Sequence, residues 1–249
     1  MKLPSLVEYL DSYLRIGGHP DYPTALNGLQ VEGRPEVQRV CAAVDASEAA
    51  IDAAIERGAD VLLVHHGLFW DGLRPVTGRR RRKLAKLLGS ELSLFSVHLP
   101  LDAHVEVGNC ILLARALGLE PGGRFGAHQG VDIGWWGATD LGRDELARRA
   151  ELVLAGPVRV IPGGPDRVQR VGVVTGSGAL VEDAARLGLD TVVTGEGPHH
   201  VAIDAVELGV NVLYGGHYAT ETFGVRALAG HLGERFGLAH DFLDLPTGT

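Results

Sequence analysis

Two stretches of this 249-residue chain repeat one pattern, and the repeat restricts the fold more than any other feature. Val40–Gly67 reads VCAAVDASEAAIDAAIERGADVLLVHHG, and Val171–Gly197 reads VGVVTGSGALVEDAARLGLDTVVTGEG. With one gap, Asp52-Ala53-Ala54 falls on Asp183-Ala184-Ala185, and Gly58 and Asp60 fall on Gly188 and Asp190. His65-His66-Gly67 falls on Gly195-Glu196-Gly197. Further on, SLFSVHLPLD (93–102) lies on VLYGGHYATE (212–221), so His98 and Asp102 coincide with His217 and Glu221 at a spacing of four in both halves. Matches in alanine-rich helices arise easily by chance. Coincident His-x-x-x-acid pairs after matching strands do not.

Each copy alternates apolar runs with amphipathic segments. Strands are expected over 39–45, 60–64 and 92–97, with helices over 47–58 and 80–89 between them. Ser47 suits an N-cap and Gly58 a stop. The second half predicts strands at 170–175, 191–194 and 211–214, with helices at 179–187 and near 200–208. An N-terminal helix is expected over 4–16, from the spacing of Leu6, Tyr9, Leu10 and Tyr13. The fold class is therefore α/β: two related units with mostly parallel sheets. The division is placed at 1–125 and 126–249, with the C-terminal helix free to pack back on the first unit. The Gly- and Pro-rich connection over 120–168 should add further strands and one amphipathic helix at 141–154.

Composition removes several function classes. The formal net charge of −8 gives no general attraction to nucleic acid. No stretch approaches the apolar length of a membrane span, and no apolar run follows the N-terminus as a signal peptide would require. Cys41 and Cys110 have no partners at metal-ligand spacing and read as small buried residues in a reducing compartment. A cytoplasmic protein is expected.

Functional groups of a parallel α/β sheet gather beyond the carboxyl ends of its strands. His65-His66 stands there after DVLLV, His98 and Asp102 after the next strand, Glu196 and His199-His200 after the matching strand, and His217 and Glu221 after the last. Neighbouring side chains at a strand end diverge, so His65 and His66 would serve two different metals. Imidazole with carboxylate suits Zn, Mn, Fe, Co or Ni better than Mg or Ca, and a carboxylate can bridge two cations. His199-His200 would either cap the next helix or line the pocket. Three weaker signals read as structure: Thr175-Gly176-Ser177-Gly178 as a tight strand-to-helix turn, Arg79–Lys83 as the solvated start of a helix, and Trp135-Trp136 as core or interface packing.

Four segments in order, VLLVHHGLFW (61–70), VHLPLDAHVEVGN (97–109), TGEGPHH (194–200) and GGHYATE (215–221), together with NGLQV (27–31), resemble the NIF-three-like family, whose members carry the label "GTP cyclohydrolase I type 2 homolog". The resemblance implies a dinuclear metal site between the halves, with two divalent ions per subunit. His65, Asp102 and Glu221 would bind one ion, and His66, His217 and Glu221 the other, with Glu221 bridging. It also implies a homohexamer. The family's polar run after the first His is replaced here by Leu99-Pro100-Leu101.

Three functions follow as expectations. The first is a metal-dependent hydrolase acting on a nucleotide-like or phosphorylated small molecule, with Glu221 at the metals and Glu196 or His98 moving protons. The second is a non-catalytic metal chaperone, insertion or storage protein whose partner is a metal acceptor. The third is an oligomeric scaffold for DNA or protein.

Overall fold

The computed structural model describes residues 1–178 and 180–248. In chain order it runs α1 (Leu3–Tyr13), β1 (Gly28–Val31), β2 (Arg39–Asp45), α2 (Glu48–Glu56), β3 (Val61–His66), α3 (Gly78–Gly89), β4 (Ser93–Ser96) and α4 (Leu99–Asp102). Then come α5 (Asn109–Ala116), β5 (Glu120–His128), β6 (Val131–Gly142), α6 (Arg143–Leu154), β7 (Arg159–Ile161) and β8 (Arg167–Val173). The chain continues through α7 (Val181–Arg186), β9 (Thr191–Thr194), α8 (Val201–Leu208), β10 (Asn211–Tyr214), α9 (His217–Thr220), α10 (Thr222–Phe236) and β11 (Ala239–Phe242). The expected start of α7 at Ala179 lies outside the described residues.

The strands form two sheets, ordered β1-β4-β3-β2-β11 and β5-β6-β8-β9-β10-β7. In the first, β4, β3, β2 and β11 are parallel and β1 closes the edge antiparallel. The second departs from the expected mostly parallel sheet. Its core β8-β9-β10 is parallel, but β5, β6 and β7 join antiparallel. All three come from the 120–168 connection. The two-residue turn between β5 and β6 permits only an antiparallel return.

The chain divides into Met1–Leu101 with Gly224–Leu245, and Asp102–Phe223 with the last residues from Pro246. Residues 102–125, assigned to the first unit from sequence, therefore belong with the second. The reason is packing: Leu113 and Ala114 of α5, and Leu117 just after it, share a core with Leu146, Ala150, Val168, Val171 and Val193. In the other direction, β11 returns to pair with β2, and Leu243 joins the core of the first unit.

The repeat extends to individual hydrogen bonds. Asp60 Oδ2 accepts from the backbone N–H of Gln38 and Arg39, and Asp190 Oδ2 from that of Gln169 and Arg170. The Asp60 N–H donates to Arg39 O and the Asp190 N–H to Arg170 O. Each Asp thus ties the amino end of one strand to its neighbour and sets the register of the parallel pair. Gly58 and Gly188, at φ +65° and +66°, end the preceding helices in the left-handed conformation that a side chain would strain. Ser47 caps α2 as expected, its Oγ accepting from the Ala50 N–H at 3.0 Å.

The first core is a sheet buried on both faces. In β2 the residues from Val40 to Val44 are all buried, and in β3 those from Val61 to His65. An uninterrupted apolar run is what a parallel strand between helices requires. Among the described residues, no helix is long and apolar enough to cross a membrane.

Candidate metal-binding site

Strand β3 runs two residues beyond the apolar stretch and takes in both histidines. Alternation across the strand then separates them. His65 is fully buried and His66 is half-buried. His98 follows β4, the next parallel strand, and comes back toward the pair. The three imidazoles of this unit stand with ring centroids 4.8 Å (His65–His66), 4.9 Å (His65–His98) and 5.6 Å (His66–His98) apart. One ring nitrogen from each lies within 4.8 Å of the others, close enough to share a metal ion.

What orients the rings is the same in both units. His65 Nδ1 is 2.9 Å from the Val97 carbonyl, His66 Nδ1 is 2.9 Å from Asp45 Oδ1, and His98 Nδ1 is 2.8 Å from Asp21 Oδ1. In the second unit His217 Nδ1 is 2.7 Å from Glu196 Oε1. A carbonyl or ionised carboxylate can only accept, so each Nδ1 carries the hydrogen. In the neutral ring the lone pair then resides on Nε2. Fixing the distal nitrogen in this way is how proteins prepare histidine for a metal.

The second unit carries a group of its own on the matching βα turns. Helix α9 begins at His217, and Glu221 follows its last residue, so the spacing of four brings the side chains onto one face. His217 Nε2 is 3.2 Å from Glu221 Oε2. Glu221 is buried and Glu196 exposed. The hydrogen bond with Glu221 raises the His217 pKa to about 9, against the opposing effect of burial, and Glu196 adds to the rise. Without a metal the second unit therefore holds an imidazolium between two carboxylates. That is the electrostatics of a cation site.

Asp102 ends α4 and is buried. Its Oδ1 accepts from Asn109 Nδ2 at 2.8 Å and from Thr175 Oγ1 at 2.9 Å. Thr175 opens the Thr-Gly-Ser-Gly turn, whose role is support rather than anion binding. Gly176, at φ +66°, lies so close to Glu221 that a Cβ there would fall 2.0 Å from Oε1 and 3.2 Å from His217 Nε2. The Gly176 N–H donates to Thr220 Oγ1, and its carbonyl accepts from the Glu196 N–H. The turn thus holds Asp102 on one side and Glu221 on the other.

Sequence reasoning treated His98 as a proton carrier only. The structure also groups it with His65 and His66. Glu196, expected to shuttle protons, is the residue that orients His217. Asp21 and Asp45 were missed. Asp45 sits at the end of β2 in direct register with His66, and it is the repeat counterpart of Gly176. Its place at a strand end, beside the strand that carries His65-His66, was the available signal. Asp21 lies in an irregular segment before β1 and gave none. It binds His98 and the Leu99 N–H and accepts from Asn27 Nδ2. His199 and His200 are exposed before α8, which no side chain caps, and they join no metal-capable group among the described residues. Arg79–Lys83 does open α3.

The donors fit a divalent metal: fixed imidazoles and buried carboxylates of the kind chosen by Zn, Mn, Fe, Co or Ni. A protein of Deinococcus radiodurans called GTP cyclohydrolase 1 type 2 homolog is 46% identical over 98% of this chain and 93% of its own. The crystal structure of TTHA1606 from Thermus thermophilus matches all of both chains at 45% identity and a TM-score of 0.90. A solved structure of protein ybgI, described as of unknown function, does so at 38% identity and 0.93. Residues 1–247 match the sequence family described as Duf34/NIF3 (NGG1p interacting factor 3), and the chain belongs to that family.

Proposed function

We propose that this protein binds two divalent metal ions and uses them to hydrolyse a nucleotide-like or phosphorylated small molecule. His65 and Asp102 would hold one ion, His66 and His217 the other, and Glu221 would serve both. The observation that carries the reading is the common state of the histidines: every Nδ1 is engaged by an acceptor, which leaves Nε2 as the coordinating atom. The name carried by the Deinococcus relative supports a nucleotide substrate.

When bound, a pair of such ions polarises substrate oxygens and lowers the pKa of water. The chain's own residues do the rest. Val97 O, Asp45 and Glu196 hold His65, His66 and His217 in one tautomer and one orientation. Thr175 and Asn109 hold Asp102, and Gly176 leaves the space that Glu221 fills. His98, backed by Asp21, can take a proton at Nε2 and return it to a leaving group. Glu196 shares the proton on His217 Nδ1. The protein would act in the cytoplasm as a homohexamer, on a small-molecule substrate.

The test is elemental analysis of protein reconstituted with Mn or Zn, followed by a panel of nucleotides and phosphoesters. Two ions per chain and turnover of at least one compound are expected, with both reduced in Glu221→Ala. Hydrolysis that survives Glu221→Ala refutes the enzymatic reading. Stoichiometric metal with no turnover favours a metal chaperone. Absence of metal refutes both.

A further inference from the structure

An aromatic wall adjoins the histidines of the first unit. Trp70, four residues after His66, stands edge-on to His98 with centroids 4.7 Å apart and an interplanar angle of 83°. It is 5.8 Å from the His66 ring and 6.3 Å from Tyr22. Tyr22 in turn lies 6.0 Å from His98 and is 51% exposed. Its place is fixed, because the adjacent Asp21 is tied to His98, Leu99 and Asn27. Tyr22 thus presents an open ring on an anchored backbone at the edge of the metal-capable cluster.

Two further features describe the occupant. The Trp70 indole Nε1 is shielded from solvent and has no hydrogen-bond partner among the described residues. Buried donors in native proteins are almost always satisfied, so a bound acceptor beside this one would be favoured. The segment after Trp70 is strongly cationic. Arg74, Arg80 and Arg81 have no carboxylate partner among the described residues, whereas Arg79 is paired with Asp71 and Arg82 with Glu48. Arg80 also holds the loop, donating to the carbonyls of Gly72 and Arg74. Unpaired arginines in an acidic protein attract anions locally against the sign of the whole.

We propose that Tyr22 and Trp70 form a stacking subsite for a planar heteroaromatic base, and that Arg74 and Arg81 attract the phosphate attached to it. The subsite rests on the hydrolase reading above and narrows its substrate from phosphorylated small molecules to nucleotides. Base–aromatic stacking tolerates any base, because each has a π-face. The aromatic pair therefore selects for the presence of a base, and the arginines for its charge.

The test compares AMP, GMP, CMP and UMP with ribose 5-phosphate, which has the charge and the sugar but no base. Binding is measured by calorimetry on the full-length protein, both as isolated and after chelation. At least one nucleotide should bind about tenfold more tightly than ribose 5-phosphate. Trp70→Ala and Tyr22→Ala should erase that preference, and Trp70→Phe and Tyr22→Phe should keep most of it. Arg74→Ala with Arg81→Ala should weaken nucleotides and ribose 5-phosphate by the same factor. In a Trp135→Phe, Trp136→Phe background Trp70 is the sole indole, and its emission should change on nucleotide binding. Equal affinity for all five compounds in both forms overturns the proposal, as does a preference unchanged in the alanine variants. Metal content, measured on the same samples, reports separately on the reading beneath it. A base preference in protein that takes up no metal would leave the subsite standing and the hydrolase refuted.

Discussion

Asp21 and His98 lie 77 residues apart in sequence, yet Asp21 Oδ1 sits 2.8 Å from His98 Nδ1 in a nearly buried pair. Burial opposes ionisation of Asp21, but hydrogen bonds and charge from His98, with Asn27 and the Tyr22 N–H, outweigh it and lower its pKa. The carboxylate fixes the His98 tautomer. Because His98 moves protons and holds neither ion, Asp21→Asn should leave metal content unchanged and lower turnover by about 10–100-fold, the usual effect of losing a carboxylate behind a site histidine. Initial rates and metal analysis on the same samples measure this, and unchanged turnover would exclude His98 as the proton carrier.

Gly176 is the second pressure point. A Cβ there would collide with Glu221 Oε1 while the backbone holds φ +66°. Gly176→Ala should destabilise the protein by about 1–3 kcal/mol and also impair metal uptake. Gly209→Ala is the control. It has a similar φ of +70° but nothing within 4 Å, so it should lower the melting temperature while leaving metal content intact.

Asp60 and Asp190 should act as equivalents. Each accepts two backbone N–H groups from the neighbouring strand. Replacing either with Ala strands those donors, at about 1–3 kcal/mol each where water cannot reach them. Urea unfolding should show both variants destabilised, Asp60→Ala the more, since Asp60 is buried and also binds Arg34. Neither change should alter nucleotide preference.

Cys110 should be chemically silent. Burial, with the charge of Asp102 adding, pushes its thiol up to about 12, and burial raises Cys41 as well. The thiolate is the reactive form, so at pH 8 neither cysteine should react with a disulfide reagent in the native protein. Both should react after denaturation. Rapid native labelling of Cys110 would mean that the second unit opens around Asp102.

Much of this was legible in the residues alone. The strand–helix periodicity located β2, β3, β9 and β10 closely, because an apolar run bounded by a glycine stop and a charged turn has few other solutions. The repeat matched His98 and Asp102 with His217 and Glu221 and correctly paired Asp60 with Asp190. These are local properties: period, cap, spacing and order. The sequence could not show which groups stand behind the histidines. Asp21 and Glu196 reach theirs across 77 and 21 residues, and such contacts depend on how irregular segments fold over the strand ends. Nor could it place the unit boundary. Helix α5 follows the first repeat in the chain, but its apolar face is buried in the second sheet. Periodicity reveals that a face is apolar, while only the tertiary structure decides which surface covers it. Packing is non-directional and can be satisfied by any complementary core within reach of the chain.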